Sequence, residues 1–274
     1  MIEFLKKYPL ATHELLHFPL MYPDSLKKFR IPGIPYVSLD FLYDFASTCN
    51  ISQGTIRTTL SRMKKEGMLK SETTDSVSRY KVSSLQLEVM GNVQKRKKIQ
   101  NKGFIVAVYS FEKNQEKERG QARSLLQYCG FVRFAQNAYV NISVDESELR
   151  RSLKEYGISD NVFLFNVKTI NSDEMGRLVA SWKIPQRVEF LAGFYRDVKE
   201  LIQASDGSDQ DIFYRIGIAW VAYIIHVHST EPPLPDSLFP AGYAYSEIYS
   251  YLNRISANYG RQMIRYWKSK NRIS

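Results

Sequence analysis

The side chains with the most chemistry to offer lie close together in one stretch, Ile51–Gly67. Ser52, Gln53, Thr55, Thr58 and Ser61 carry hydroxyl or amide groups, and Arg57, Arg62 and Lys65 carry positive charge. An arginine guanidinium can read a guanine edge through two parallel hydrogen bonds, while Ser and Thr suit phosphate oxygens or a thymine methyl. Gly54 would let a backbone come close, and the positive N-terminal end of a helix favours a phosphate. Further along, Arg79 and Lys81 suit phosphate or minor-groove contact. Catalytic chemistry finds no comparable set. There is no Ser/His/Asp or Cys/His arrangement, phosphate loop or dinucleotide fingerprint, and no catalytic residue is assigned. His226 and His228 stand two apart, whereas a helical metal pair prefers a spacing of four, so no metal site is expected.

These residues need a helix to present them, and the pattern supplies one. Ser52 reads as an N-cap, Ile56, Leu60 and Met63 recur at i, i+4 and i+7, and Gly67 ends the segment. At about 100° per residue, Gly54, Thr58, Ser61 and Lys65 fall opposite that apolar stripe, with Thr55, Arg57 and Arg62 on its flanks. In isolation the same pattern describes a solvated amphipathic helix, so the neighbours decide. Ser38 caps a preceding helix with Leu39, Leu42, Tyr43 and Ala46 on its apolar side, and Thr48–Asn50 forms a short turn. Two helices so joined have helix-turn-helix spacing. Met68–Thr73 and Ser78–Val82 read as two strands around Thr74–Ser76, which adds a hairpin wing. A helix from Ser84 to about Asn92 follows and leads to Lys95–Lys98, either a phosphate clamp or a solvated linker.

Charge supports this reading by its distribution. The 274-residue chain carries a net +10. Residues 52–102 hold 12 Lys/Arg against 4 Asp/Glu, residues 254–274 hold 6 against 0, and residues 103–253 hold 15 against 19. Segregation of this kind favours a localised polyanionic partner over general solubilisation. The basic tail Arg261–Arg272 is expected to be a solvated or frayed terminus. Cys49 and Cys129 have no metal-type spacing, which argues against a disulfide framework or a structural zinc site. The longest apolar run, Ile216–Val227, is too short to span a bilayer, and the first residues lack the order of a signal peptide. A cytoplasmic protein with no membrane association is expected.

The rest of the chain divides by composition. Residues 1–37 are hard to read; Thr12–Met21 suggests a short helix that Pro19 and Pro23 interrupt. From Gly103 the strand Phe104–Phe111, helix Glu116–Tyr128, hairpin strands Phe131–Ala135 and Ala138–Ile142, helix Asp145–Tyr156 and strand Val162–Val167 make a ferredoxin-like β-α-β-β-α-β order. Beyond about Ser172 the pattern is helical: Asp173–Ser181, Gln186–Ala204, Asp209–His228 and Tyr245–Tyr266. The expected fold class is α+β, with an N-terminal winged helix-turn-helix domain (1–92), a basic linker (93–102), a ferredoxin-like dimerisation domain (103–170) and a C-terminal helical domain (171–274).

Three blocks, in this order, resemble the phenylacetate-catabolon repressor (PaaX) family of bacterial transcription regulators. The first runs from Ile51-Ser52 through Ile56-Arg57-Thr58, Leu60-Ser61-Arg62-Met63 and Glu66-Gly67; the second is Val108-Tyr109-Ser110 with the later Gly130-Phe131. The third is Pro233-Leu234-Pro235, Leu238-Phe239-Pro240. Together they span roughly residues 38–255. The resemblance implies a homodimer on double-stranded DNA, no cofactor, and release by an aryl-acetyl-CoA type thioester. Arg187, Arg196 and Arg215 are candidate anchors for its phosphates, with Trp220 and His226 as further effector candidates, although aromatic residues at helical spacing are commonly core. A regulator that has lost its effector is compatible with the same residues. The ferredoxin-like unit also resembles the small nuclease of CRISPR adaptation, which sets a metal-dependent nuclease as the alternative. That family has an aspartate after the tyrosine of its first strand, whereas Ser110 follows Tyr109 here and is a poor Mg²⁺ ligand.

Overall fold

The computed structural model describes residues 1–25, 36–74, 77–83, 103–141, 144–231 and 239–271. The expected helix 84–92, the basic segment 95–98 and most of the proline-rich block lie outside them. The described fold is mixed helix and sheet, with antiparallel sheets of three and four strands.

Chain order does not set the division into compact units. One unit gathers residues 1–90, 190–230 and 244–274, and the other gathers 91–189 and 231–243. The segment expected to form a separate N-terminal domain therefore shares a unit with most of the helical segment expected to stand apart from it.

In the first unit, α1 (Ile2–Lys7) and α2 (Thr12–Ser25) precede a two-residue strand β1 (Val37–Ser38). Helices α3 (Leu39–Ser47) and α4 (Gln53–Lys65) follow, then strands β2 (Leu69–Thr74) and β3 (Val77–Val82). Strand β3 lies between β1 and β2, both antiparallel to it. The turn into α4 rests on Asn50 at φ 58°, a left-handed conformation that asparagine tolerates better than most residues. The prolines do not break α2. Leu15, Leu16 and Leu20 are fully or almost fully buried, and the helix packs on α3, α4 and β3, so tertiary burial outweighs the local cost of proline.

The second unit carries β4 (Phe104–Tyr109), α5 (Glu116–Tyr128), β5 (Val132–Ala135), β6 (Ala138–Asn141), α6 (Glu146–Glu155) and β7 (Val162–Val167). Its strands stand in the order β5-β6-β4-β7, all antiparallel. Asn137, at φ 62°, turns the β5–β6 hairpin. Ile105, Ala107 and Tyr109 face a core with Leu126, Leu149 and Leu153 from the two helices. On the opposite face Phe104 and Val140 pack with Met175 and Trp182. Met175 belongs to helix α7 (Ser172–Ser181).

Helix α8 (Ile184–Gln203) crosses the unit boundary between residues 189 and 190. The helix expected over 209–228 is α9 (Asp209–Ala222) followed by a π-helical turn (Tyr223–His228), in which the Ser229 amide bonds the Ile224 carbonyl at 2.9 Å. The helix expected over 245–266 is two, α10 (Tyr245–Asn258) and α11 (Gly260–Asn271), parted at Tyr259 beside the buried Gly260. Among the described residues no helix is long and apolar enough to cross a membrane.

Candidate nucleic-acid interface

Helix α4 is fixed from below. Ser52 Oγ accepts from the Thr55 amide at 3.2 Å and caps the first turn. Ile56, Leu60 and Met63 are buried to within 1%, and Thr59 joins them on the inward side, which the apolar pattern alone did not indicate. Opposite that face, Ser52, Gln53, Gly54, Thr55, Arg57, Thr58, Ser61, Arg62 and Lys65 are all exposed. Lys64 is exposed as well and adds a cation that the opposite-face argument passed over. The helix therefore offers one continuous polar and basic surface.

Several of the presented groups have partners that restrict them: the Ser52 and Thr55 hydroxyls lie 2.9 Å apart, and Arg57 and Thr58 are held as well. Arg57 Nε donates to Tyr43 Oη of α3 at 2.5 Å, and the guanidinium carbon lies 5.7 Å from that ring's centroid. Arg57 is thus oriented by the neighbouring helix, and its remaining N–H donors keep their capacity to bond. Burial raises the Tyr80 phenol above its ordinary pKa, Tyr43 adds to the shift and Arg57 opposes it, which sets all three side chains in one electrostatic neighbourhood. Thr58 Oγ1 donates to the Gly54 carbonyl at 3.0 Å, so its proton is committed inside the helix. Tyr43 was read from sequence as an apolar-face residue. The signal that it does more is its place on α3, facing a basic residue of α4.

On the hairpin, Arg79 and Lys81 are half-buried rather than fully exposed. Lys81 Nζ lies 4.3 Å above the Tyr36 ring, a cation–π contact, and Arg79 stands opposite Ser38 in the β1–β3 ladder. The hairpin's tip, residues 75–76, lies outside the described residues.

The effector candidates are held by different partners. Arg187, in the second unit, lies 3.6 Å from Glu231, which also accepts from Tyr243 Oη at 3.1 Å. The other four are in the first unit. Arg215 bonds Asp211 at 2.6 Å and the Leu201 carbonyl at 3.0 Å. Arg196 is largely exposed, 3.9 Å from Asp197. Trp220 Nε1 donates to Ser256 Oγ at 2.8 Å, and His226 Nε2 lies 3.0 Å from the Pro9 carbonyl. Asp197, which sequence reasoning missed, is the more connected group: it meets Lys7, Tyr8 and Arg196.

The basic tail Arg261–Arg272 is not a frayed end within its described part, which is helical to Asn271. Arg265 makes two bonds to Asp209, at 2.6 and 2.7 Å, Arg254 lies over Tyr251, and Lys270 meets Asp44 at 2.9 Å. In the second unit Ser110 follows β4, with its amide bonded to the Asn161 carbonyl. Among the described residues no group of three His, Cys, Asp or Glu could hold a metal ion.

Two comparisons with known proteins find likenesses, one of sequence and one of fold. A family model described as PaaX-like protein matches residues 32–85, the segment from β1 through β3. The matched segment contains the first of the three blocks and not the other two, and the family likeness suggests a regulator. Among solved structures, the uncharacterized protein Rv0674 from Mycobacterium tuberculosis is similar in fold, with a TM-score of 0.51 at 14% identity. The similarity covers 89% of this chain and 97% of that one. The comparison with curated proteins finds no match.

Proposed function

We propose that this protein is a homodimeric, ligand-responsive transcriptional regulator, a repressor, that reads double-stranded DNA through α4. In this reading β1–β3 and α2–α4 form a winged helix, with α4 as recognition helix and the β2–β3 hairpin as wing. One observation carries it: the exposed hydroxyl and basic face of α4 stands on a buried stripe, with Arg57 held by Tyr43, inside the family-matched segment. Arg57, Arg62 and Gln53 are the candidates for base edges, while Ser52, Thr55, Ser61, Lys65, Arg79 and Lys81 suit phosphates.

The second unit is read as a ferredoxin-like dimerisation module. Its support is the sheet face on which Phe163 and Phe165 are 49% and 52% exposed, opposite Val108 and Val106 of β4. A dimer would set two copies of α4 at a fixed half-site spacing. An aryl-acyl-CoA thioester is the proposed effector, releasing DNA by binding a conformation whose spacing no longer fits. That part rests on the family resemblance, with Arg187, Arg196, Arg215, Trp220 and His226 as its candidate contacts.

The test is selection of duplexes from a random library by the full chain, followed by titration of the selected sequence at several salt concentrations. The expected outcome is nanomolar, strongly salt-dependent binding to a partly palindromic sequence. Arg57→Ala should cost about 1–3 kcal/mol of discrimination at one position of each half-site. Binding that ignores sequence, and an Arg57→Ala variant equal to wild type, would refute the reading. Adding an aryl-acetyl-CoA to the complex should release the DNA, and free coenzyme A should not.

A further inference from the structure

Helix α11 ends against the start of α3. Asn271 is 3% exposed, and its amide is used at both ends: Oδ1 accepts the Ser38 backbone N–H at 2.8 Å, and Nδ2 donates to the Trp267 carbonyl at 2.8 Å. Ser38 is the N-cap of α3, its Oγ accepting from the Phe41 amide at 3.3 Å and lying 3.4 Å from the Lys270 carbonyl. One turn further along α3, Asp44 meets Lys270 Nζ at 2.9 Å. Between these polar contacts, the Phe41 ring packs 5.8 Å from Tyr266 and 5.6 Å from Phe213. The first turns of α3 are thus fastened by hydrogen bonds, an ion pair and aromatic packing, all supplied by α11 and α9. Residue Tyr43 of the same helix holds Arg57.

We infer that α11 is a positioning element for the DNA reader, with Asn271 and the Asp44–Lys270 pair as its positioning residues; this rests on the DNA-reading proposal above. The chain of contacts runs from Asn271 to Ser38, through α3 to Tyr43, and from Tyr43 to Arg57. None of Asn271, Ser38 and Asp44 has to touch DNA. Their effect is on how closely Arg57 matches a base edge, so they act on sequence preference. Contact with phosphate tolerates small displacements better than two-point reading of a base. Loosening α11 should therefore lower specific affinity while leaving non-specific affinity in place.

The experiment compares wild type, Asn271→Ala and Asp44→Asn in the full chain. Each is titrated with the library-selected duplex and with a scrambled duplex. Asp44→Asn is the discriminating variant. Removing a negative charge near a DNA-binding face would by electrostatics alone tighten both complexes. A positioning role for α11 instead predicts that the specific-to-scrambled affinity ratio falls about fivefold, the worth of one hydrogen bond, in both variants. The slope of affinity against salt should not change. Amide hydrogen exchange provides an arm that needs no DNA: in Asn271→Ala, faster exchange should spread from residues 38–42 to residues 52–65. An unchanged ratio, or specific and scrambled affinities falling together, overturns the inference, as does faster exchange confined to 38–42. If wild type selects no sequence, the DNA reading fails. The exchange arm then still decides whether α11 governs α4.

Discussion

At the scale of single residues, Gly54 separates what α4 needs for folding from what it needs for binding. A Cβ placed there would meet nothing nearer than Ser52 Oγ at 3.8 Å, and replacing a helical glycine by alanine stabilises by roughly 0.5–1 kcal/mol. Gly54→Ala is therefore expected to leave the melting temperature unchanged or slightly higher. If the backbone at Gly54 lies close to DNA, the same methyl should weaken the complex several-fold; equal affinity would show that no close approach occurs there. His17 of α2 makes a different kind of prediction. Burial, with His13 four residues away adding to it, pushes its imidazole down to about 4. The sign follows from proton counts. Between about pH 6.5 and 4 the unfolded chain holds a proton on this group that the folded one does not, so stability falls as pH is lowered through that window. The limit is ~3 kcal/mol. A thermal-melt series from pH 7 to pH 4 should show this fall, and His17→Gln should flatten it.

At the scale of elements, polar caps and amphipathic stripes were legible because they are local. Ser38 and Ser52 cap the helices that follow them, and Ile56, Leu60 and Met63 point inward. Strands β2 to β7 were likewise visible, with Asn137 marking a turn, whereas the two-residue β1 was not. What local pattern misjudged was settled by distant chain. Helix α2 runs through Pro19 and Pro23 because Leu15, Leu16 and Leu20 are buried against other helices. The π turn at 223–228 and the break at Tyr259 carry no periodic signature that an apolar count would catch. The exposed β7 edge of the sheet face that also packs Met175 and Trp182 is where the dimer proposal can be tested. Phe163 and Phe165 are already half exposed, so replacing both by glutamate should cost the monomer little. Light scattering should find wild type dimeric and the double variant monomeric, with melting temperatures within a few degrees. A double variant that stays dimeric would remove β7 from the interface.

At the scale of the whole molecule, serial reading of the chain sets residues 1–92 in a domain of their own, and the contacts do not follow that boundary. Phe45 of α3 packs 5.3 Å from Tyr214, and Phe41 and Phe18 both pack against Phe213. Tyr214 and Tyr266 share a buried hydroxyl bond of 2.6 Å. Gly217 admits Phe18 so closely that a Cβ would stand 2.3 Å from its ring. No sequence window contains this core, since its halves lie more than a hundred residues apart, and that is why it was not legible. A consequence can be measured. A fragment of residues 1–92 would expose the rings of Phe18, Phe41 and Phe45. Phe41 and Phe45 are buried and Phe18 partly so; a fully buried phenylalanine contributes roughly 1.5–3 kcal/mol, so the loss is on the order of several kcal/mol against a total stability of about 5–15 kcal/mol for a whole domain. The fragment also loses the Asn271 and Lys270 contacts to α3. It is expected to show no cooperative melt by circular dichroism and no sequence-selective DNA binding, whereas the DNA-reading proposal expects both of the full chain. A fragment that melts cooperatively and binds the selected duplex as tightly as the full chain would mean that α9 and α11 only cover the reader. If it melts cooperatively and binds with lost selectivity, the buried rings are dispensable for folding while α11 still governs how α4 is aimed.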